Sequence, residues 1–460
     1  MAIKLDPAAA PFSPSTAEPR PSLDLVTPHL DDDDKPPASF TRLPVELKEQ
    51  IVAEVIETDR KHDPRAALVA SVTVGFFAKR RVTQREDLSA HQRKREALSR
   101  MQAVDRELRA ICAPQLWKAI IARNVQSQAF ARLLEILPEH AARVRRLDAV
   151  GSTLARRASP ERRALYLSRN QCIGRAMRSC TNLEELYLCH PQLNPLLPFP
   201  FPHLRTLRIL SPDSERRRKS YLLDHEIFLA ASPFPDLTSL ELYVDGADTS
   251  GDEFLDVVKV LRGVPSLKNL KLRGDAVVRD EALGAYDDVA ISGMPALESL
   301  EVKYDGETVL DLGVMHAFIS VFATSLAALN LELSYCDEDD PPSAFECPLP
   351  HLAALALGGD CPTASFHALS SPSTPITFCH LDTLGRDVDP EIVYSFLRAH
   401  ASTLRTVHLG EWADEANPDV SAEFMATCES LNILVVREGE EEKLVGNGAQ
   451  GERAAGGEGA

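Results

Sequence analysis

The chain has 460 residues, 44% of them hydrophobic, and a formal net charge of −18. That apolar share can build a sizeable core, while the acidic balance argues against a general affinity for nucleic acid. No run of about 18 apolar residues occurs, so no membrane span is expected.

Residues 1–38 are rich in Pro, Ala, Ser and Asp and show no apolar periodicity, so disorder is expected there. The N-terminus also lacks the charged-then-apolar pattern of a signal peptide. Cysteines are scattered without C-x-x-C or metal-ligand spacing. Thiols of that kind fit a reducing compartment, the cytosol or the nucleus. Charge is unevenly spread, with roughly +16 over residues 60–178 and roughly −34 over the remainder. Two readings stay open for this basic region: a face for an acidic partner, or ordinary solvated helix faces.

A helix is predicted over residues 40–58. Pro44 suits the first helical position, Glu46 complements the dipole in the first turn, and Leu47, Ile51 and Val55 recur on one face with Val52 and Ile56. A second helix is predicted over about 90–112, with Leu98, Met101, Val104, Leu108 and Ile111 on one face. Pro114 interrupts it, and Leu116, Trp117, Ile120 and Ile121 begin another apolar stretch. Between the two helices lies an insert, roughly residues 60–99, with an apolar patch at 68–77 and basic clusters at 79–81 and 93–95.

Beyond residue 180 one phrase keeps returning. Phe201-Pro202-His203-Leu204 leads to Leu207 and Ile209, and Phe234-Pro235-Asp236-Leu237 leads to Leu240 and Leu242. The same spacing ends at Leu270/Leu272, Leu300/Val302 and Leu355/Leu357, and without proline at Leu186/Leu188, Leu329/Leu331 and Val407/Leu409. A last copy is read at Leu431/Leu434/Val436, a degenerate one opening at Leu381 and Leu384, and another at Val144/Leu147. In L-x-x-L-x-L the final pair lies two residues apart and faces one side of a strand. Proline before the first leucine fixes φ and lacks an N–H, which suits a lead-in turn. Between copies, Phe254, Val257, Val258 and Leu261 have helical spacing. The interval of about 21 to 33 residues fits stacked units that share one core.

These copies, within 126–437, resemble the leucine-rich-repeat family, which implies an α/β solenoid with a curved parallel sheet. That family often places Asn three residues after the last leucine; here the slot holds Asp245, Asp275, Asp305 and Asp360, with Pro191, Pro212 and Ser334 in other copies. A turn-capping ladder and a functional acidic stripe are both compatible with aspartate, which accepts N–H bonds but donates none. Trp412 occupies the same slot in a later copy.

The helical residues carry a second resemblance. Leu43-Pro44-Val45-Glu46-Leu47 with Ile51-Val52 resembles the opening of an F-box. Val104-Asp105-Arg106-Glu107-Leu108-Arg109-Ala110-Ile111 with Leu116-Trp117 resembles its closing half. The order of these phrases and the repeats is similar to that of F-box/leucine-rich-repeat proteins. The layout implied is a disordered 1–38, an F-box-like helical module at 39–125 containing the insert, a solenoid at 126–437, and a disordered tail at 438–460. The resemblance further implies a non-enzymatic substrate receptor of a cullin-RING ubiquitin ligase. A Skp-type adaptor would contact Leu43, Pro44, Leu47, Ile51, Leu108 and Trp117, some of which are expected to be internal core instead. The adaptor would bring a cullin, the repeats would hold an unidentified target protein, and no cofactor, metal, nucleic acid or membrane is implied. Lys48 stands where the family places a second leucine, and the insert lengthens the module. Both favour the alternative, an adaptor-free scaffold whose N-terminal helices only cap the solenoid. No phosphate-loop, nucleophile-elbow or zinc-protease motif occurs.

Overall fold

The computed structural model describes residues 43–61, 97–104, 106–122, 127–149, 171–189, 201–210, 234–243, 257–274, 293–304, 312–333, 348–359, 369, 374–384, 390–409 and 418–437. The segments 1–38 and 438–460, most of the insert, the four aspartates of the repeat slot and Trp412 lie outside the described residues.

Helix α1 (Val45–Lys61) forms where the periodicity places it, and helix α2 (Arg106–Leu116) follows the insert. The second predicted helix is not continuous. Residues 97–101 are helical, but Ala103 N–H then donates to Arg100 O and Val104 N–H to Met101 O, both at 3.1 Å. This tighter i to i−3 pattern rotates the chain out of register, and Val104 ends 51% exposed rather than on the buried face. Pro114 lies inside α2 instead of ending it. Its missing N–H costs one ladder bond close to the helix end, and Trp117 N–H still reaches Ala113 O at 3.2 Å.

Val52, Leu98, Leu108 and Cys112 make a small core between these helices, with Met101, Ile111 and Leu116 packed against it. Lys48, 1% exposed, joins that pairing: its ammonium donates to Glu107 Oε2 at 2.6 Å. Lys48 thus ties α1 to α2 across the residues that separate them.

Among the described residues twelve strands follow: β1 (Ala119–Ile121), β2 (Arg146–Asp148), β3 (Glu185–Cys189), β4 (Thr206–Leu210), β5 (Ser239–Tyr243) and β6 (Asn269–Arg273). Then come β7 (Ser299–Tyr304), β8 (Ala328–Leu333), β9 (Ala354–Gly359), β10 (Phe378–Leu384), β11 (Thr406–Leu409) and β12 (Leu434–Arg437). They form one sheet in sequence order, every neighbouring pair parallel, with β1 and β12 as its edges. The class is mixed α/β.

The leucine phrase explains the order. Leu207, Leu240, Leu270, Leu300, Leu329 and Leu355 stand in register across β4–β9, and each is fully buried. Each contributes about 1.5–3 kcal/mol by leaving water. Parallel neighbours need a crossover, and the crossovers add to the same core. Helix α3 (Ser127–His140) supplies Leu137, α4 (Val257–Arg262) Val260 and Leu261, and α5 (Leu312–Val321) Phe318 and Ile319. Helix α6 (Pro390–Ala399) supplies Val393 and Phe396, and α7 (Pro418–Ser430) Phe424 and Cys428. The lead-in prolines lie inside hydrogen-bonded turns, Leu204 N–H to Phe201 O at 3.2 Å and Leu267 N–H to Val264 O at 3.1 Å among them.

The strand positions agree with the phrase except at two copies, and β1 carries no leucine phrase at all. Leu381 does not open the degenerate copy; it closes it. Ile376, Cys379 and Leu381 are its residues in the main core, with Leu381 opposite Leu357 and Leu409. Isoleucine and cysteine in leucine slots hide that phrase. In the last copy the inward residue is Val435, opposite Val407, while Leu434 is 56% exposed. Asn432 at φ 57 ends α7, with Asn432 N–H to Glu429 O at 3.0 Å and Ile433 N–H to Cys428 O at 2.9 Å. This left-handed cap carries Ile433 into the core and moves the strand by one residue, which exchanges its faces.

Candidate protein-docking surfaces

The first surface lies at one end of the α1–α2 pair. Pro44 immediately precedes α1 and Val45 begins it, Leu47 adjoins the Lys48–Glu107 contact, and Val104 sits in the turn just before α2. Val45, Leu47 and Val104 are 41%, 43% and 51% exposed. A small helical unit that leaves Val45, Leu47 and Val104 outside, while burying a lysine, offers apolar side chains to a partner.

The six residues expected at an adaptor contact divide accordingly. Pro44 and Leu47 are exposed, and Leu43 and Ile51 are half-buried. Leu108 is fully buried inside the helical core. Trp117 packs against the sheet's core and stacks on His140, ring centres 4.2 Å apart. Val45 and Val104 join the exposed group; helical periodicity had assigned Val104 to the opposite role.

The second surface is the face of the sheet turned away from the leucines. Its middle row, read from β2 to β12, is Asp148, Tyr187, Arg208, Glu241, Lys271, Glu301, Asn330, Ala356, His380, His408 and Val436. The first part is an ion-pair ladder. Tyr187 lies between two guanidinium groups, Arg146 at 4.5 Å and Arg208 at 4.7 Å from its ring centre. Burial pushes the Tyr187 phenol up to about 12, and its hydroxyl donates to Glu185 Oε2 at 2.8 Å. Glu241 pairs with Arg208 at 3.3 Å and Arg273 at 3.4 Å. Glu301 pairs with Lys271 at 2.7 Å and Arg273 at 3.1 Å, and Lys303 reaches Glu332 on β8.

From β8 onward the face changes character. Ala328, Ala354, Ala356 and Phe378 form a small apolar cluster of their own, and the Phe378 ring lies 5.1 Å from that of His408. Asn330 marks the boundary. It is 1% exposed, and neither its Oδ1 nor its Nδ2 has a hydrogen-bond partner.

The leucine phrase gave no account of this face, yet a signal was present. The residue between the two strand leucines is Arg208, Glu241, Lys271 and Glu301 in four successive copies. Alternating charge at a fixed place in the phrase is what cross-strand neighbours need.

Burial raises the thiols of Cys180 and Cys428 to about 12 and that of Cys379 further, so all three stay protonated at neutral pH. Among the described residues no group of three or more His, Cys, Asp or Glu side chains is placed to hold a metal ion, and no helix is long and apolar enough to cross a membrane. No protein-family model matches the chain, and no curated protein matches its sequence.

Proposed function

We propose that this protein is a substrate receptor of the F-box/leucine-rich-repeat type. The α1–α2 module docks on a Skp-type adaptor and, through it, a cullin-RING ubiquitin ligase in the cytosol or nucleus. The repeats of the parallel sheet form the solenoid that holds a target protein. The receptor carries out no chemistry itself. It raises the effective concentration of target lysines near a ubiquitin-loaded enzyme.

The observation that supports this reading best is the exposure of Pro44, Val45, Leu47 and Val104 on a unit with its own core. Central apolar anchors carry about 2 kcal/mol or more at interfaces, roughly thirtyfold in affinity. Capture of the full-length chain by immobilised adaptor is the test. The Leu47→Ala/Val104→Ala double variant should lose capture by about that factor with its melting temperature unchanged. Undiminished capture by that variant, or none by the parent chain, would sink the reading.

A second reading has one observation in its favour. Trp117 packs on the sheet's core only two residues before β1 begins, as in a helical cap of an adaptor-free scaffold. That reading predicts no adaptor capture, and melting that drops when Trp117 is replaced by Ala.

A further inference from the structure

On the outward face of β4–β7 the carboxylates lie deep and the cations stand out. Glu241 and Glu301 keep only 7% and 3% of their side-chain surface. Arg208, Lys271, Arg273 and Lys303 keep 34%, 28%, 32% and 37%. Each deep carboxylate holds two cations, with Arg273 shared between them. An approaching molecule therefore meets positive heads above a floor that has already fixed their positions.

We propose that β4–β7 dock an acidic polypeptide segment, rich in aspartate and glutamate, laid across the strands. This deepens the substrate-receptor reading by naming the chemistry of the target, and it rests on that reading only for calling the segment a target.

Arg208, Lys271, Arg273 and Lys303, set against Glu241, Glu301 and the Glu332 that pairs with Lys303, leave this group one charge positive, within a chain of net charge −18. Such a local reversal of sign steers and orients an acidic segment. A guanidinium has five N–H donors, more than the ion pairs of the floor occupy. Because the floor holds the cation heads, little side-chain freedom remains to be lost on binding. Three strand intervals span about 14 Å, the length of four or five extended residues. A nucleic acid would carry its charge past the band onto an acidic molecule, so the observations favour a peptide.

The test is fluorescence anisotropy on the full-length chain. The probes are a labelled peptide of about eight residues alternating Glu and Ser, the Gln/Ser peptide of the same length, and oligothymidylate of matching charge. The acidic peptide should bind at least about tenfold tighter than the neutral one, and more weakly as salt rises. Lys303→Glu should lower that affinity about tenfold, whereas Glu332→Gln, which removes the 21%-exposed carboxylate beside Lys303, should raise it about threefold. The gain from Glu332→Gln keeps the test decisive even if Lys303→Glu disturbs folding. Equal binding of acidic and neutral peptides would overturn the proposal. So would weaker binding by both variants, or oligothymidylate binding as tightly with the same sensitivity to Lys303→Glu. Adaptor capture uses a different surface: loss of capture with peptide binding intact strikes the receptor reading, and the converse strikes this one.

Discussion

Leu270 and Lys271 are consecutive residues of β6, yet they belong to opposite faces with opposite rules. On the core face each copy repeats what the last one did. Leu240, Leu270 and Leu300 align and are fully buried, because every unit must close the same seam. On the outward face Glu241, Lys271 and Glu301 align too, but each differs in charge from its neighbour, and the row turns from ions to alanine and histidine beyond Asn330. Repetition on one side makes the stack, and that frees the other side to be specific.

The largest test of this contrast is on the core face. Leu270→Ala should cost about 2–5 kcal/mol in urea denaturation. Leu270→Asp should prevent folding, since a charge there has no partner. If Leu270→Ala costs less than about 1 kcal/mol, the stack does not depend on its seam.

A smaller loss is expected from the outward floor. Glu301→Ala deprives Lys271 and Arg273 of a shared carboxylate. Both cations keep contact with water, so the cost should stay at about 1–3 kcal/mol. An unchanged unfolding midpoint would mean that Glu301 holds nothing in place.

The smallest effect has the opposite sign. Asn330 is buried with no partner for its carboxamide. Asn330→Ala should raise stability by about 1 kcal/mol, because an unsatisfied buried amide is costly. Destabilisation on calorimetry would show that packing by that side chain outweighs its missing hydrogen bonds.

The contrast also decides what could be read in advance. Strand positions from β3 to β9 and at β11 follow from leucine spacing, which the shared seam imposes on every copy. The spacing fails where another residue does leucine's work, as Cys379 does in β10, or where a local turn inserts a residue, as Asn432 does before β12. Val104 escaped for a similar reason, since a single tight turn rotates it to the surface. Trp117 reads as the start of a further apolar stretch and, by resemblance, as an adaptor contact, and only the proximity of the three-residue β1 explains its seat on the sheet's core. On the outward face, the charges at the x positions were visible in the chain, but their alternation gains meaning only once the register is known.

The most direct measurement takes the two neighbours on β6 together, recording unfolding free energy and acidic-peptide affinity for Leu270→Ala and Lys271→Ala in the full-length chain. Leu270→Ala should lose about 2–5 kcal/mol of stability and keep the parent affinity in its folded fraction. Lys271→Ala should change stability by less than about 1 kcal/mol and weaken peptide binding severalfold. A Lys271→Ala chain that unfolds as readily as Leu270→Ala while binding the peptide as the parent does would contradict the separation of the two faces.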